Sequence, residues 1–366
     1  MIYVHVPFCK SFCTYCGFYS ELCGRSEKAF EAYTDRICAE IDSRREEIKA
    51  SSREVDTLYF GGGTPSVLPP SCIRRIVEAL PFPAGHAFRE FTIEMNPDDV
   101  TAELITELRG IGANRISLGI QSFDDGILRW MNRRHTADAA VDAVKTIRAC
   151  GIDNISIDLI FGLPQLEDGV WEKTLDKALE LHPEHISAYQ LSVEEGSALE
   201  KMIADGRFTE ATQEQCRSQY DYLCARLRQA GYNHYEVSNF ALPCHEALHN
   251  GAYWSRAPYV GLGPGAHSFD GASRRSWNSE MEADGSWTPD SEELTDYDAS
   301  VERIMLGLRT AAGIDASELK AIIGSCALQE ALSKGLLVPA SQQKTALRIP
   351  EDRFFVSDDI IRQLIP

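Results

Sequence analysis

Strand-like runs that alternate with helix-like stretches constrain the fold of this chain more than any other feature. Each run is apolar and rich in β-branched and aromatic residues, and most of them end in Gly or Pro, which is typical of buried strands. The runs are IYVHVPF, VDTLYFGGG, FTIEMNP, RISLGIQS, NISIDLIFGLP and HISAYQLSV. Amphipathic stretches such as TADAAVDAVKTIRACG separate them. Because this alternation predicts parallel strands joined by right-handed crossovers, we expect an α/β fold.

Six strand–helix units cover about residues 1–231, too few for a complete eight-stranded barrel. We therefore predict a partial (β/α)6 barrel. In barrels of parallel strands, functional groups collect at the carboxyl ends of the strands. The sequence places polar residues and glycines at those ends, namely Cys9, residues 61–64, residues 94–97, Gln121 and residues 158–164.

The pattern changes after Gly231. Residues 232–293 are rich in Gly, Asn, Trp and Ser and have weak periodicity, which predicts an irregular extension with some strand. Residues 294–366 contain two helical segments and then a stretch that resembles a β-hairpin or wing. We predict a smaller C-terminal α+β domain of winged-helix-like character. Its acidic surroundings favour a packing role over DNA binding.

Composition and charge exclude several classes of function. The formal net charge of −19 argues against nucleic acid as a partner, because such a binder needs clustered Lys and Arg. The same charge disfavours docking on an anionic membrane surface. No apolar run approaches the ~20 residues of a membrane span, so we expect no transmembrane segment. The 11 cysteines are an odd number scattered over a long chain, which predicts a reducing, cytoplasmic location.

Three of these cysteines, Cys9, Cys13 and Cys16, lie close together in the stretch CKSFCTYC. Thiolates are preferred ligands of zinc and of iron–sulfur clusters. A closed zinc site needs four ligands, for which Cys23 is a candidate, and unligated core cysteines are a second alternative. The third alternative is a 4Fe–4S cluster held by three thiolates, with one iron left open for a small ligand.

The spacing CxxxCxxC resembles that of the radical S-adenosylmethionine (SAM) superfamily, and the similarity extends along nearly the whole chain. It includes YVHVPFCKSFCTYCGF, GGGTP at 61–65, IEMNP at 93–97, RISLGIQSF at 115–123, NRRHTA at 132–137, SIDLIFGLP at 156–164, HNGAYW at 249–254 and GLGPGAHSF at 261–269. This set resembles the subgroup that contains the oxygen-independent coproporphyrinogen III dehydrogenase HemN and the heme chaperone HemW. The resemblance implies a radical-SAM barrel in which Cys9, Cys13 and Cys16 hold a 4Fe–4S cluster that binds SAM.

The resemblance also implies a SAM-binding set. Its members are Tyr3, Tyr15, Gly62, Gly63, Thr64, Glu94, Gln121, Arg133 and Asp158. Glycines allow close approach of the backbone to a ligand, Glu94 suits the amino group of SAM, and Arg133 can pair with a carboxylate. Asp158 is an acid in an apolar strand and needs partners, and the resemblance offers the ribose hydroxyls of SAM.

Three features favour the heme-chaperone branch of this subgroup. Phe18 stands where the dehydrogenases carry a further Cys, few residues precede Cys9, and residues 249–254 match the signature HNxxYW. Imidazole is a good axial iron ligand and aromatic rings can stack on a porphyrin, so the heme-binding candidates are His249, Tyr253 and Trp254. A hydrogen-bonded structural role for His249 is the alternative.

The predicted function is that of a heme chaperone that binds a 4Fe–4S cluster, SAM and heme and delivers heme to acceptor hemoproteins, membrane-associated ones included. An electron donor such as flavodoxin or ferredoxin is a further expected partner. Two alternatives stay open: a coproporphyrinogen III dehydrogenase that decarboxylates propionates with SAM, and a protein with a purely structural cluster. HEALH at 245–249 matches a zinc-protease pattern, but Pro243 before it and Asn250 after it leave too little helix for such a site.

Overall fold

The computed structural model describes residues 1–22, 27–340 and 345–365. Cys23 and residues 341–344 of the predicted wing therefore lie outside the described residues. The strands are β1 (Ile2–Val6), β2 (Phe8–Cys9), β3 (Glu21–Leu22), β4 (Thr57–Gly62), β5 (Glu90–Met95), β6 (Arg115–Gln121), β7 (Asn154–Phe161), β8 (His185–Gln190), β9 (Asn233–Glu236), β10 (Asn239–Ala241), β11 (Val260–Leu262), β12 (His267–Phe269), β13 (Arg274–Asn278), β14 (Pro289–Glu293), β15 (Ile314–Asp315), β16 (Val338–Pro339) and β17 (Ala346–Arg348).

Helices follow most of the strands in the first part of the chain. They are α1 (Glu27–Ser43), α2 (Arg45–Ser51), α3 (Pro70–Ala79), α4 (Ala102–Ile111), α5 (Asp125–Trp130), α6 (Ala137–Ala149), α7 (Asp168–Glu180), α8 (Ala198–Ala204), α9 (Gln213–Gln229), α10 (Leu248–Trp254), α11 (Asp296–Gly307), α12 (Ala316–Ser333) and α13 (Ser357–Leu364). None of the helices in the described ranges is both long enough and apolar enough to cross a bilayer.

The central sheet confirms the predicted partial (β/α)6 barrel. Its order is β11-β1-β4-β5-β6-β7-β8-β10-β9, and the six strands β1 and β4–β8 are neighbours in chain order and parallel. The part of the chain after Gly231 supplies strands at both edges: β11 pairs parallel with β1, and the β9–β10 hairpin pairs antiparallel with β8. Residues 232–293 thus extend the same sheet at its two ends.

The six parallel strands alternate between an apolar and a polar face. On β6, Ile116, Leu118 and Ile120 are buried and join one continuous hydrophobic core with residues of the surrounding helices. The intervening residues, Arg115 and Ser117, point to the other face because successive side chains of a strand alternate. The same alternation on the neighbouring strands places Tyr3, Tyr59, Thr92, Glu94, Ser156, Asp158, His185 and Ser187 on that inner face. We call this polar interior the lumen.

The last third of the chain forms two smaller structures. Strands β12, β13 and β14 make an antiparallel sheet. The C-terminal region combines helices α11, α12 and α13 with a small sheet of order β15-β17-β16. This mixture of helices and short antiparallel strands is an α+β arrangement.

Candidate functional site

The carboxyl ends of the six strands meet at one end of the barrel, which we call the mouth. The loop that carries Cys9, Cys13 and Cys16 begins at the end of β1 and the short strand β2, and the three glycines lie at the end of β4. Glu94 lies near the end of β5, Gln121 at the end of β6, and Asp158 in the upper half of β7. The structure therefore brings the predicted cluster residues and the predicted SAM residues to the same end of the fold.

The cysteine loop is fastened to the segment that follows α5. The Thr14 N–H donates to the Met131 carbonyl at 3.1 Å, and its hydroxyl donates to the Trp130 carbonyl at 2.9 Å. Asn132 adopts a left-handed backbone with φ of 57° and donates from its side chain to the Phe12 carbonyl at 2.7 Å. These bonds fix the loop by its backbone, so its cysteine side chains remain available for other partners.

Each of the three thiols has a polar or charged environment. Arg133 Nη1 lies 3.3 Å from Cys13 Sγ, and Cys9 Sγ lies 3.4 Å from Thr64 Oγ1. Burial raises the pKa of the Cys16 thiol to about 11, so without a metal this thiol keeps its proton at neutral pH. A metal that binds a thiolate must displace that proton.

The three thiols fit an iron–sulfur cluster by their chemistry and their common loop. All three are half-buried, and the Arg133 guanidinium supplies positive charge beside the sulfur of Cys13. Within the described ranges, no three His, Cys, Asp or Glu side chains already converge as the ligands of a single metal ion.

Arg133 connects the cysteine loop to the rim of the barrel. Besides Cys13, its guanidinium contacts Asn96 Oδ1 at 2.6 Å and the Gly119 carbonyl, and its Nε has no partner among the described residues. Gln121, close by at the end of β6, has a left-handed backbone with φ of 70°. A residue other than Gly in this region is strained, and such strain clusters at functional sites.

The glycine loop packs against the start of the cysteine loop. Gly62 has φ of +106°, and a Cβ there would lie 2.6 Å from the His5 ring. A Cβ on Gly63 would lie 2.9 Å from the carbonyl oxygen of Phe8. Both glycines are therefore required by the close approach of two protein segments.

Two carboxyl groups lie in the lumen just below the mouth. Tyr59 donates to Glu94 Oε1 at 2.7 Å, and burial raises the pKa of Glu94 to about 7. Burial also raises the pKa of Asp158 to about 6, against hydrogen bonds from Ser187 and Ser117 that favour its charged form. Both side chains are half-buried, so they line an interior space that a polar ligand can reach.

The two predicted tyrosines flank these groups. The Tyr3 hydroxyl lies 3.2 Å from His5 Nδ1, and its ring is 6.0 Å from the ring of Tyr59. Burial raises the pKa of Tyr15, whose hydroxyl hydrogen-bonds Cys13 and faces Arg133. Tyr15, itself part of the cysteine loop, therefore lies beside Cys13 and Arg133, while Tyr3 lies in the lumen.

The heme-binding candidates lie at the opposite end of the barrel, which we call the base. Helix α10 closes it. The N–H groups of Leu248 and His249 donate to the Glu90 carboxylate at 2.7 and 3.0 Å, and Glu90 is the first residue of β5. Because His245 precedes this helix, the two histidines of HEALH do not share a helical face, in agreement with the rejection of a protease site.

His249 is 1% exposed, and both of its ring nitrogens have partners. Nδ1 lies 2.8 Å from Thr57 Oγ1, and Nε2 lies 3.0 Å from the Tyr253 hydroxyl. Burial lowers its pKa to about 3, so the imidazole is neutral. This environment fits the hydrogen-bonded structural role of His249, which is the alternative to heme ligation. Trp254 is half-buried at the end of the helix.

Sequence reasoning missed several residues of the site. Lys10 forms an ion pair with Asp99 and joins the cysteine loop to the segment after β5, and Arg134, in the segment after α5, pairs with the neighbouring Asp98 at 2.5 Å. Arg115 lies in the lumen and is 1% exposed. The strict alternation of polar and apolar residues in RISLGIQ was the signal for Arg115; no comparable signal pointed to the ion pairs.

An open barrel of six parallel strands with a CxxxCxxC loop at its mouth is the architecture of radical SAM proteins. The family model of the radical SAM superfamily matches residues 3–178 of this chain. The solved structure of coproporphyrinogen III oxidase (HemN) from Escherichia coli matches with a TM-score of 0.80 at 22% identity, covering 100% of this chain and 89% of that chain. At this identity the match shows the fold alone.

Sequence relatives define the family more closely. The heme chaperone HemW of Lactococcus lactis is 35% identical over 268 residues, which are 73% of this chain and 69% of that protein. The heme chaperone HemW of Synechocystis is 32% identical over 334 residues, which are 87% of this chain and 80% of that protein. The chain belongs to the radical SAM superfamily and, within it, to the HemW family.

Proposed function

We propose that this protein is a heme chaperone that binds a 4Fe–4S cluster, SAM and heme and delivers heme to acceptor hemoproteins. The observation that carries the proposal is its similarity, over most of both chains, to proteins named heme chaperones. The scattered, odd set of cysteines supports a cytoplasmic location. Acceptor hemoproteins, membrane-associated ones included, and an electron donor such as flavodoxin or ferredoxin are the partners that this function implies.

Cys9, Cys13 and Cys16 would hold the cluster. Their shared loop, their partial burial and the neighbouring Arg133 suit thiolate ligands of iron. Bound there, a cluster with one open iron supplies a coordination site for the amino acid end of SAM. Phe18, where a further Cys would otherwise follow, is 73% exposed beside this site.

The SAM-binding residues divide into three groups by what they offer. Glu94 and Asp158 offer carboxylates to the amino group and the ribose hydroxyls. Arg133 and Gln121 offer donors at the rim, where the Arg133 Nε has no partner within the described ranges. Backbone and ring surfaces come from Gly62, Gly63, Thr64, Tyr3 and Tyr15.

The heme site is proposed on His249, Tyr253 and Trp254 with a condition that the structure imposes. For Nε2 of His249 to coordinate iron, it must leave the Tyr253 hydroxyl, 3.0 Å away. Helix α10 must also move, because His249 is buried against Thr57. If coordination occurs, a phenylalanine at 253 removes the competing hydroxyl and keeps the ring, so Tyr253→Phe should tighten heme binding.

The test is anaerobic reconstitution with iron and sulfide, followed by electron paramagnetic resonance of the reduced cluster with and without SAM. We expect SAM to change the spectrum. Heme titration by Soret absorption then compares wild type, His249→Ala and Tyr253→Phe. Weaker binding in the first variant and tighter binding in the second support His249 as ligand; unchanged binding in both assigns the ligand elsewhere.

Transfer and turnover separate chaperone from enzyme. Heme-loaded protein is mixed with an apo-hemoprotein, and heme transfer is followed spectroscopically. In parallel, coproporphyrinogen III is incubated anaerobically with SAM, a reductant and the protein. Transfer without decarboxylation supports the proposal, whereas sustained decarboxylation would replace it with the dehydrogenase alternative. A cluster that ignores SAM, in a protein that binds no heme, would leave only a structural role for the cluster.

A further inference from the structure

Arg115 is a buried cation in the lumen, below the proposed SAM site. It is 1% exposed and is among the largest fully buried side chains of the chain. Its Nη1 donates to the Thr92 hydroxyl at 3.4 Å, and its Nε has no hydrogen-bond partner in the described part of the chain. In the described part of the chain, the guanidinium therefore donates to a neutral hydroxyl.

Such an arrangement is energetically expensive. A charge removed from water loses its hydration, and an unsatisfied buried donor adds a further penalty. Arg stays protonated under these conditions because its pKa is far above neutral. Among the described residues no carboxylate forms an ion pair with Arg115, so any acidic partner there acts on this guanidinium at longer range.

The strand register places Glu94 one layer and Asp158 two layers above Arg115, toward the mouth. Arg115 on β6 pairs with Thr92 on β5, and the next inward pair on the same strands is Ser117 with Glu94. On the other side, Ser117 pairs with Ser156 on β7, and Asp158 is the next inward residue of that strand. Glu94 and Asp158 thus flank the space directly above the guanidinium.

We propose that Arg115 is a positioning residue whose fixed positive charge favours the ionised forms of Glu94 and Asp158 on the mouth side of it. The inference rests on the proposed role of these carboxylates in SAM binding. Its charge lies within the electrostatic reach of both groups and favours their charged forms against burial. No other cation in the described residues acts on both carboxyl groups from below; Arg133 acts on Asp158 from the rim.

Other titratable groups that face the two carboxyls contribute less charge at neutral pH. They are Tyr3, Tyr59, Tyr189 and Tyr253, whose pKa values are all raised by burial, so they are neutral. His185 and His249, which feel the charge of Arg115 at the base, have pKa values lowered by burial and are neutral as well. The ionisation of Glu94 therefore depends on Asp158, Arg115 and the local hydrogen bonds.

The first test is a titration of the carboxyl carbons by 13C NMR in the full-length, cluster-reconstituted chain without SAM. Glu94→Gln and Asp158→Asn identify the two signals. Arg115→Met keeps the length of the side chain and removes the charge, and we expect the midpoints to rise by about one pH unit. Arg115→Lys, which keeps the charge, and Thr92→Val, which removes only the hydroxyl partner, should leave the midpoints close to those of wild type.

The second test is SAM affinity by calorimetry between pH 6 and 8.5. Because a carboxylate must be ionised to hold the amino group, affinity should rise with pH through the pKa of Glu94. In Arg115→Met this rise should move to higher pH, with an affinity about fivefold weaker at pH 7 and near wild type at pH 8.5. A loss that is equal at every pH, or unchanged carboxyl midpoints, would overturn the proposal.

The two measurements separate this inference from the proposed function. If the carboxyl midpoints shift but wild type binds no SAM, the role of Arg115 stands and the SAM site fails. If Arg115→Met does not fold, the double variant with Glu94→Gln decides: recovery of folding shows that the two charges are coupled. A double variant that also fails to fold assigns Arg115 to packing alone and rejects the inference.

Discussion

The mouth and the base of the barrel are built from the same six strands, but the buried histidines of the base and the polar groups of the mouth are satisfied differently. At the base, His249 lies between Thr57 and Tyr253, and His185 lies between Ser156 and Tyr235 at 2.8 and 2.7 Å. Each of these imidazoles has a partner within the chain for both ring nitrogens.

At the mouth, polar atoms are held in place but not saturated. Arg133 Nε has no hydrogen-bond partner in the part of the chain that the structure describes, and Glu94 and Asp158 are half-buried with pKa values raised by burial. Burying these polar groups costs free energy, and interactions with a bound ligand would offset that cost. We infer that the packed histidines of the base stabilise the fold and that the mouth binds the cluster and SAM, so changes at the two ends should have opposite consequences for stability and for cluster and SAM binding.

The largest expected effect is loss of the cluster in Cys13→Ser. Serine is a poor ligand for iron, and the variant also removes the thiol that Arg133 contacts. We expect iron and sulfide content to fall to background. The free energy of unfolding of the cluster-free protein should stay within about 1 kcal/mol of wild type. Cys326→Ser on α12, an exposed cysteine of the C-terminal region, is the matched control and should keep its cluster.

For His249→Ala at the base we expect the reverse, a loss of stability without a loss of the cluster. The substitution leaves Thr57 and Tyr253 without their partner and opens a cavity, so the free energy of unfolding should fall by about 2–4 kcal/mol. Cluster content should be unchanged at temperatures where the variant is folded. His267→Ala, at an exposed histidine, is the control for urea unfolding. A variant as stable as wild type would refute the structural role of α10.

Much of this contrast was predictable from sequence, but not all of it. The six strands and their carboxyl-end residues follow from local patterns, because alternation and strand-ending Gly or Pro are local signals. The placement of HNxxYW at the base does not follow from local patterns, because it depends on hydrogen bonds from Leu248 and His249 to Glu90, more than 150 residues away. Long-range contacts of this kind leave no periodic trace in the sequence.

The lumen shows the same limit in another way. The runs were interpreted as buried strands, which is correct for Ile116 and Leu118 on the outer face. Buried strands of parallel sheets are commonly apolar on both faces. Arg115, Ser117 and Glu94 break that rule within the strands themselves, and such breaks mark functional positions more often than errors of folding. Polar and apolar alternation inside a parallel strand is therefore the sequence signal that indicates a polar lumen.

For Glu94→Gln we expect a smaller effect, in which the stability of the fold increases and SAM binding becomes weaker. The pKa of Glu94 is about 7 in the folded protein because of burial, and it is ~4.3 in an unfolded chain. The folded state therefore binds the proton more tightly, and its stability falls as pH rises from about 4.3 to 7 and is level above. Glutamine cannot ionise, so the variant should be more stable than wild type at pH 8 by about 1–3 kcal/mol and similar at pH 4.5.

Urea unfolding at the two pH values measures this difference, and Glu103→Gln on the exposed face of α4 is the control. The same Glu94→Gln variant should bind SAM at least about tenfold more weakly, since it loses the charge that attracts the amino group. Equal free energies of unfolding of variant and wild type at pH 8 would mean that ionisation of the buried Glu94 carboxyl does not destabilise the fold.

The smallest predicted effect concerns Tyr59, which connects the two ends. Its hydroxyl donates to Glu94 at 2.7 Å, and its ring lies 5.0 Å from that of His249. Tyr59→Phe keeps the ring contact at the base and removes the hydrogen bond at the mouth, so we expect SAM affinity to fall about fivefold, near 1 kcal/mol, with little change in unfolding. Tyr33→Phe, which removes a buried hydroxyl bonded to the His5 carbonyl, is the control. It should lower stability without a selective loss of SAM affinity. If Tyr59→Phe instead destabilises the fold as much as His249→Ala, the lumen acts as one unit and the division between base and mouth is wrong.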